Sequence, residues 1–257
     1  MIKLGFKEIT PTIFPDKTSQ VWNIKIPKDK ISVITWNFES ENELIHVMQL
    51  NDLLKSHNKT VRLAMPYLPY ARQDKPINNE NTFALETFAK IINAGEFEVV
   101  FVEDVHSSKA KDLIKNLFNS DPITDILTAK NLLKASTLAF PDVGAKERYL
   151  NNVLKEWSKN PNIIIGNKVR NQKTGYIEKY DYNRLNWKED EGLEKPILII
   201  DDICDGGMTF KLLAEQLIKD GAKDVNLYIT HGIFSKGIQT LRDSGIKRIF
   251  TRKGEIE

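Results

Sequence analysis

The sequence predicts an α/β protein made of two doubly wound parallel sheets. Three observations predict it. Short apolar runs without polar alternation recur along the chain, and each ends in charged or turn-forming residues. Segments of helical periodicity lie between these runs. At about 150 residues per domain, a chain of 257 residues has room for one large domain or two small ones.

The runs come in order. Residues 61–65 lead into Pro66, and residues 99–102 into Glu103-Asp104-Val105-His106. Thr137-Leu138-Ala139-Phe140 leads into Pro141-Asp142, residues 197–200 into Asp201-Asp202, and residues 225–229 into Thr230-His231-Gly232. An unalternated apolar run is the pattern of a strand buried on both faces, as in a parallel sheet. Between the runs, Leu44, Val47, Met48 and Leu54 mark one helix. Phe83, Phe88, Ile91 and Ile92 mark a second, stopped by Gly95. Tyr149, Leu150, Val153, Leu154 and Trp157 mark a third, and Leu212, Leu213 and Leu217 a fourth, stopped by Gly221. Strand and helix in alternation imply right-handed βαβ units. The division is expected near 125–135, where a helix-like segment at 109–119 gives way to Asp121-Pro122; this gives domains 1–130 and 131–257.

Composition removes several classes of function. Charged residues are 28% and apolar residues 41% of the chain, ordinary values for a globular protein that needs no disulfide or metal to hold its core. The net charge of +2 gives no support for a dedicated nucleic-acid binder. Residues 1–8 contain no apolar stretch of the signal-peptide kind. No apolar run approaches the ~20 residues needed to span a bilayer. A cytoplasmic protein with no membrane partner is expected, and the single cysteine, Cys204, fits a reducing compartment.

Ligands of open parallel sheets bind beyond the carboxyl ends of strands. His106, Asp142, Asp201 and Asp202 are expected there. The most informative stretch runs from Ile197 to Phe210. An apolar strand delivers Asp201 and Asp202; Cys204, Asp205, Gly206, Gly207, Met208 and Thr209 follow, and then a helix. Backbone N–H groups of such a turn cradle anions, and carboxylates accept hydrogen bonds from sugar hydroxyls, so the stretch specifies a sugar phosphate. The plainer alternative is a solvated acidic loop with Asp205 or Thr209 as a helix cap. Residues 166–188 hold six Lys or Arg against two acids, which reads either as cations closing over a polyphosphate or as a solvated basic hairpin turning at Gly175. His46 and His57 read as ordinary helix or loop residues, and His231 as lying near the site.

The stretch Asp201–Thr209 resembles the phosphoribosyl-pyrophosphate loop of type I phosphoribosyltransferases and of ribose-phosphate pyrophosphokinases. Pro66-Tyr67-Leu68-Pro69-Tyr70-Ala71-Arg72-Gln73-Asp74-Lys75 is similar to the signature of the second family. Asp104-Val105-His106, Pro141-Asp142-Val143-Gly144, Lys168-Val169-Arg170 and Thr230-His231-Gly232-Ile233-Phe234-Ser235 follow in that family's order. The chain looks like a short, phage-type member. The resemblance implies two domains of the type I phosphoribosyltransferase-like fold, the first binding ATP and the second a sugar phosphate. It implies an enzyme that moves the β,γ-pyrophosphoryl group of ATP to the anomeric 1-hydroxyl of ribose 5-phosphate, releasing phosphoribosyl pyrophosphate and AMP. It places Phe14, Asp16, Arg72, Gln73 and Lys75 on ATP, and Asp201, Asp202, Asp205, Gly206, Gly207, Met208 and Thr209 on the sugar phosphate. Lys168, Arg170 and His106 become the catalytic group, His106 and Asp142 hold Mg²⁺, and the working form is a homo-oligomer.

Three departures qualify it. Thr18 stands where the family has an acid in the adenine-contacting hairpin, which a neighbouring subunit provides. The loop Asp205-Gly206-Gly207-Met208-Thr209 lacks the family's first phosphate-binding Thr, and a Gly-Gly loop suits a larger acceptor whose 5′-phosphate is extended. ADP-ribose, in a reaction serving NAD resynthesis, is therefore the rival acceptor. The family also runs on past the position of Glu257 with a further strand and helix, a difference that bears on its oligomer contacts and ADP-inhibited site. A non-catalytic regulatory relative is a further alternative, opposed by the joint presence of Lys168, Arg170, His106 and Asp142. A ligand-sensing repressor is opposed by the lack of a helix-turn-helix with a basic recognition helix.

Overall fold

A computed structural model of the chain describes residues 1–76, 78–157, 161–170, 177–187 and 192–257. It forms two compact units, Met1–Asp121 and Pro122–Glu257. A cut at 130 would pass through a helix of the second unit, Ile123–Leu133, whose Ile126, Ala129 and Leu133 are buried in that unit's core.

In the first unit the order is β1 (Ile2–Leu4), β2 (Lys7–Ile9), β3 (Thr12–Ile13), β4 (Ser19–Gln20), β5 (Ile31–Trp36), α1 (Glu43–Ser56), β6 (Thr60–Ala64), α2 (Ala84–Ala94), β7 (Val100–Glu103), α3 (Lys109–Leu113) and β8 (Leu117–Ser120). Among the described residues, six strands form one sheet in the order β2-β1-β5-β6-β7-β8, and β3 pairs with β4 as a separate hairpin. The pairs β5–β6, β6–β7 and β7–β8 are parallel. Each crossover therefore steps to the next strand in the same direction. Right-handed crossovers that all step one way put every helix on one face. The exposure follows this connectivity. Ile34, Trp36 and Leu63 are buried under the helices, while Ile31, Val33 and Phe118 stay exposed. The first sheet thus has one helix-covered face, where the sequence led us to expect two. The expected helix at 109–119 is a short helix, α3, followed by strand β8.

The second unit runs α4 (Ile123–Leu133), β9 (Thr137–Phe140), α5 (Val143–Glu156), β10 (Asn162–Arg170), β11 (Ile177–Leu185), β12 (Ile197–Cys204), α6 (Met208–Lys219), β13 (Val225–Gly232), α7 (Gln239–Asp243), β14 (Ile246–Thr251) and β15 (Gly254–Ile256). Among the described residues its sheet has the order β11-β10-β9-β12-β13-β14-β15. From β9 the chain steps through α5 to β10 on one side; from β12 it steps through α6 to β13 on the other. The winding reverses between β9 and β12, so helices cover both faces. Strand residues alternate between two cores: Ala139, Ile197, Ile199, Leu227 and Ile229 pack with Leu213 and Leu217 of α6, while Leu138, Phe140, Leu198, Ile200 and Tyr228 pack with Tyr149 and Val153 of α5. This unit is the doubly wound sheet that the apolar runs imply. A reversal of winding leaves a crevice at the carboxyl ends of the two central strands.

Candidate functional site

The crevice of the second unit opens where β9 ends at Phe140 and β12 at Cys204. Asp142 stands at the N-cap of α5, with extended backbone, and its Oδ1 accepts a hydrogen bond from the Ala145 amide at 2.9 Å. It has at least this structural duty. Asp201 and Asp202 do not lie beyond the strand as expected. They are inside β12, paired with β13 to the strand's end, because the ladder continues through Ile203 and Cys204 to His231 and Gly232.

An arginine that the sequence reading passed over lies between the two acids. Arg148 of α5 sends Nη2 to Asp201 Oδ1 at 2.8 Å and to Asp202 Oδ1 at 2.9 Å. Asp202 is buried and its side chain is 2% exposed; Asp201 also accepts from the Asp202 amide at 2.9 Å. Burial, followed by the charge of Asp202, pushes the Asp201 carboxyl well above the usual carboxylate range; Arg148 pulls the other way and does not win. Asp142 adds to the upward push, so the three acids share one electrostatic environment. Tyr180 of β11 joins it. Its hydroxyl donates to the Pro141 carbonyl at 2.9 Å, and burial with Asp142 and Asp201 raises its pKa. Gly166 makes room for it, since a Cβ there would lie 2.1 Å from the Tyr180 hydroxyl.

After β12 the chain turns through Asp205, Gly206 and Gly207 into α6. Gly207 is the N-cap, at φ 74°. The N-cap position is thus held by Gly207 rather than by Asp205 or Thr209. A Cβ on Gly207 would also meet Leu241 Cδ2 at 2.9 Å, so both the backbone and its neighbour require glycine. Met208 and Thr209 open the helix, and Met208 is exposed. The Cys204 thiol is buried and pushed up to about 12, first by burial and then by Asp201 and Asp205. It is no nucleophile.

The strands β10 and β11 pair antiparallel, with Lys168 opposite Tyr180 and Arg170 opposite Ile177 across a bulge. The side chains of Lys168 and Arg170, and Gly175 altogether, fall outside the described residues.

In the first unit, residues 66–75 leave β6 as a turn anchored from below. Leu68 and Ala71 are buried, Tyr70 takes a left-handed φ of 63°, and its hydroxyl bonds Glu41. The Gln73 amide donates to the Tyr70 carbonyl at 2.8 Å, and the Gln73 carbonyl accepts from Leu85 at 3.3 Å. Arg72, Gln73 and Lys75 are thereby presented on the surface. Lys109 donates to the Asp74 carbonyl at 3.1 Å. His106 follows β7, half-buried, in a loop held by the Val105 amide donating to Asn119 Oδ1 at 2.9 Å. The β3–β4 hairpin carries Phe14 and Asp16. Thr18 donates to Asp16 Oδ1 from both its amide, at 3.0 Å, and its hydroxyl, at 2.7 Å. The departure at Thr18 thus closes the turn that aims Asp16. His46 is buried against Ser19 Oγ of this hairpin at 2.6 Å, and His231 lies beside Ile203 on β13.

No family model matches the chain. The ribose-phosphate pyrophosphokinase of Mycoplasmopsis pulmonis is 27% identical over 262 residues, covering 95% of this chain and 75% of the relative. That of Pyrococcus abyssi is 25% identical over 229 residues, covering 87% and 76%. The chain is similar to ribose-phosphate pyrophosphokinases along most of its length. A solved structure agrees in fold: the phosphoribosylpyrophosphate synthetase of Mycobacterium smegmatis superimposes with a TM-score of 0.75 at 18% identity, over 95% of this chain and 79% of that one.

Two of the crevice residues escaped the sequence reading. Arg148 had a signal. It lies three residues after Ala145 and one before Tyr149, so it sits on the helix face that the buried Ala145, Tyr149 and Val153 define. A cation at a core-facing helical position needs a buried partner. Tyr180 had none, since its hydroxyl finds Pro141 only once the hairpin is folded.

Proposed function

We propose that the chain transfers the β,γ-pyrophosphoryl group of ATP to the anomeric 1-hydroxyl of ribose 5-phosphate, giving phosphoribosyl pyrophosphate and AMP. One observation carries this reading in a chain with these relatives: the Asp201–Asp202 pair, held by Arg148 at the reversal of winding, runs directly into the Gly206–Gly207 turn. Carboxylates grip ribose hydroxyls and the turn's amides take the 5′-phosphate. The hydroxyl oxygen attacks the β-phosphorus, the bond from that phosphorus to the α-phosphate's bridging oxygen breaks, AMP leaves, and the hydroxyl proton passes to solvent. Arg72, Gln73 and Lys75, with Phe14 and Asp16 contributed by a second copy, hold ATP. Lys168 and Arg170 neutralise charge on the transferring group. The working protein is then a cytoplasmic homo-oligomer. Among the described residues no helix is long and apolar enough to cross a membrane.

Mg²⁺ fits this crevice through Asp142. Among the described residues there is no group of three or more His, Cys, Asp or Glu to form a protein cage, and Mg²⁺ needs none: one or two carboxylates with water and substrate phosphates suffice. Asp142 raises the pKa of Asp201, so a cation there relieves both acids. His106 offers nitrogen, the poorer donor for this ion. When bound, the ion supplies charge neutralisation for the polyphosphate.

ADP-ribose is the second reading, favoured by the loop itself: Gly206 and Gly207 carry no side chain that would bar an extended 5′ substituent. AMP release with ATP and Mg²⁺, offering ribose 5-phosphate or ADP-ribose, tests both. Release with ribose 5-phosphate supports the first reading, release with ADP-ribose alone replaces it by the second, and release with neither removes the transfer. Lys168→Ala and Arg170→Ala are each expected to lower kcat about 10²–10³-fold with little change in acceptor KM.

A further inference from the structure

Gly206 and Gly207 are glycines for different reasons. Gly207 needs its left-handed backbone, whereas Gly206 is outside that region. What Gly206 meets is Lys236. A Cβ on Gly206 would lie 3.6 Å from both Cδ and Cε of Lys236 and 3.9 Å from Cγ. The lysine stem therefore runs along the turn, and its ammonium, one bond beyond Cε, ends beside residue 206. Alanine would make an ordinary contact there. The γ atoms of a threonine would enter the space that the lysine stem fills.

The loop after β13 is built to deliver this lysine. The Ile233 and Phe234 amides both donate to the Cys204 carbonyl, at 2.8 and 3.1 Å, which ties the loop to the end of β12. Phe234 adopts φ 50°, and its ring packs against Gly232, where a Cβ would lie 2.1 Å away. The Gly237 amide returns to the Phe234 carbonyl at 2.8 Å, and the Thr240 hydroxyl donates to the Lys236 carbonyl at 3.0 Å. A left-handed phenylalanine persists where its surroundings over-determine it, so the backbone that carries Lys236 is set. Among the described residues the Lys236 ammonium has no acidic or hydrogen-bonding partner.

We infer that Lys236 is a phosphate-binding residue of the acceptor site, supplying across the turn the donor that Gly206 lacks. This rests on the reading of the 205–209 turn as the acceptor's phosphate site. A hydroxyl on residue 206 would donate from one fixed position and suit the terminal oxygens of a monoester. An ammonium on a flexible stem is a point charge with three rotatable donors, and it follows the phosphate wherever the ester continues. The acceptor class is then a ribose with a free anomeric hydroxyl and a phosphoryl group on O5, whether terminal or part of a diphosphate.

The test measures AMP release by the wild type, Lys236→Ala, and Lys236→Ala/Gly206→Thr, with ribose 5-phosphate and ADP-ribose as acceptors. Loss of a charge-assisted contact predicts an acceptor KM raised about tenfold or more in Lys236→Ala for whichever acceptor is used. The KM for ATP and the turnover at saturating acceptor should stay within about twofold, and equal melting temperatures confirm folding. The double variant should recover affinity for ribose 5-phosphate and not for ADP-ribose. An unaltered acceptor KM in an active Lys236→Ala overturns the inference and leaves the transfer reading standing. If the wild type releases no AMP, the transfer reading has failed, and Lys236 is judged by calorimetric titration with ribose 5-phosphate. Weaker binding by Lys236→Ala than by the wild type upholds it; equal binding, or none to either, overturns it.

Discussion

Replacing Arg148 with alanine tests whether the acids of the crevice are held apart by that one cation. The Arg148 side chain is 22% exposed, that of Asp201 14% and that of Asp202 2%, so the contacts at 2.8 and 2.9 Å are made largely out of water. Removing one partner of a buried ion pair costs about 3–5 kcal/mol, because the other charge is left uncompensated. The partly wet guanidinium points to the lower end. At about 3 kcal/mol, and roughly 3–4 °C per kcal/mol for a unit of this size, the melting temperature at neutral pH should fall by about 10 °C. The pH dependence has a definite sign. The folded pKa of Asp201 is already raised, and loss of Arg148 raises it further. The stability held by a raised acid is complete below its unfolded pKa, near 3.9, and is lost as pH rises through the folded pKa. The deficit of the variant should therefore be largest at neutral pH and shrink on acidification toward pH 4. Thermal melts followed by circular dichroism at a series of pH values measure both quantities. A fall of less than about 2 °C at neutral pH, or a deficit independent of pH, refutes the uncompensated-charge account. Adding Asp201→Asn to the variant should return part of the loss.

Three further outcomes are expected. Tyr180→Phe removes the hydrogen bond to Pro141 and should cost about 1 kcal/mol, with faster amide exchange in β10 but an unaltered midpoint in the first unit's core strands; denaturant titration and hydrogen exchange check it. Gly207→Ala must adopt φ 74° and displace Leu241, so it should lose about 2 kcal/mol and bind acceptor less well, whereas Gly206→Ala should be close to neutral in stability. Cys204, buried with its thiol pushed up to about 12, should resist thiol reagents at pH 8 until the protein unfolds; rapid labelling of the native protein would contradict its burial.

Strands β6, β7, β9, β12 and β13 were legible because each is an apolar run that ends in polar or turn-forming residues, and the four marked helices because their apolar residues recur at helical spacing; β5, whose apolar residues are interspersed with polar ones, was not. The outer pieces were not. β1, β2 and β15 are three-residue strands whose partners are set by the sheet edge they reach. The segment 109–119 has enough apolar residues for a helix, but pairing with β7 claims its second half. Winding direction was also hidden. Alternation of strand and helix is the same in both units, and only strand order tells a sheet covered on one face from one covered on both. In the crevice, the residues read from the Asp201–Thr209 stretch are local in sequence, and they fall together. Arg148 and Tyr180 come from two other elements and meet the acids only through tertiary structure, and Lys236 reaches the turn from the loop after β13.

The gap between β9 and β12 exists because the chain winds one way from the first of these strands and the other way from the second. No side chain has to prop it open. The strand ladder and the two cores beneath it are therefore indifferent to what the connecting segments carry at that end, and the turns after Phe140, Cys204 and Gly232 could be exchanged for others without disturbing the sheet. On the proposed transfer, acceptor preference becomes a property of replaceable parts, accessible to loop grafting.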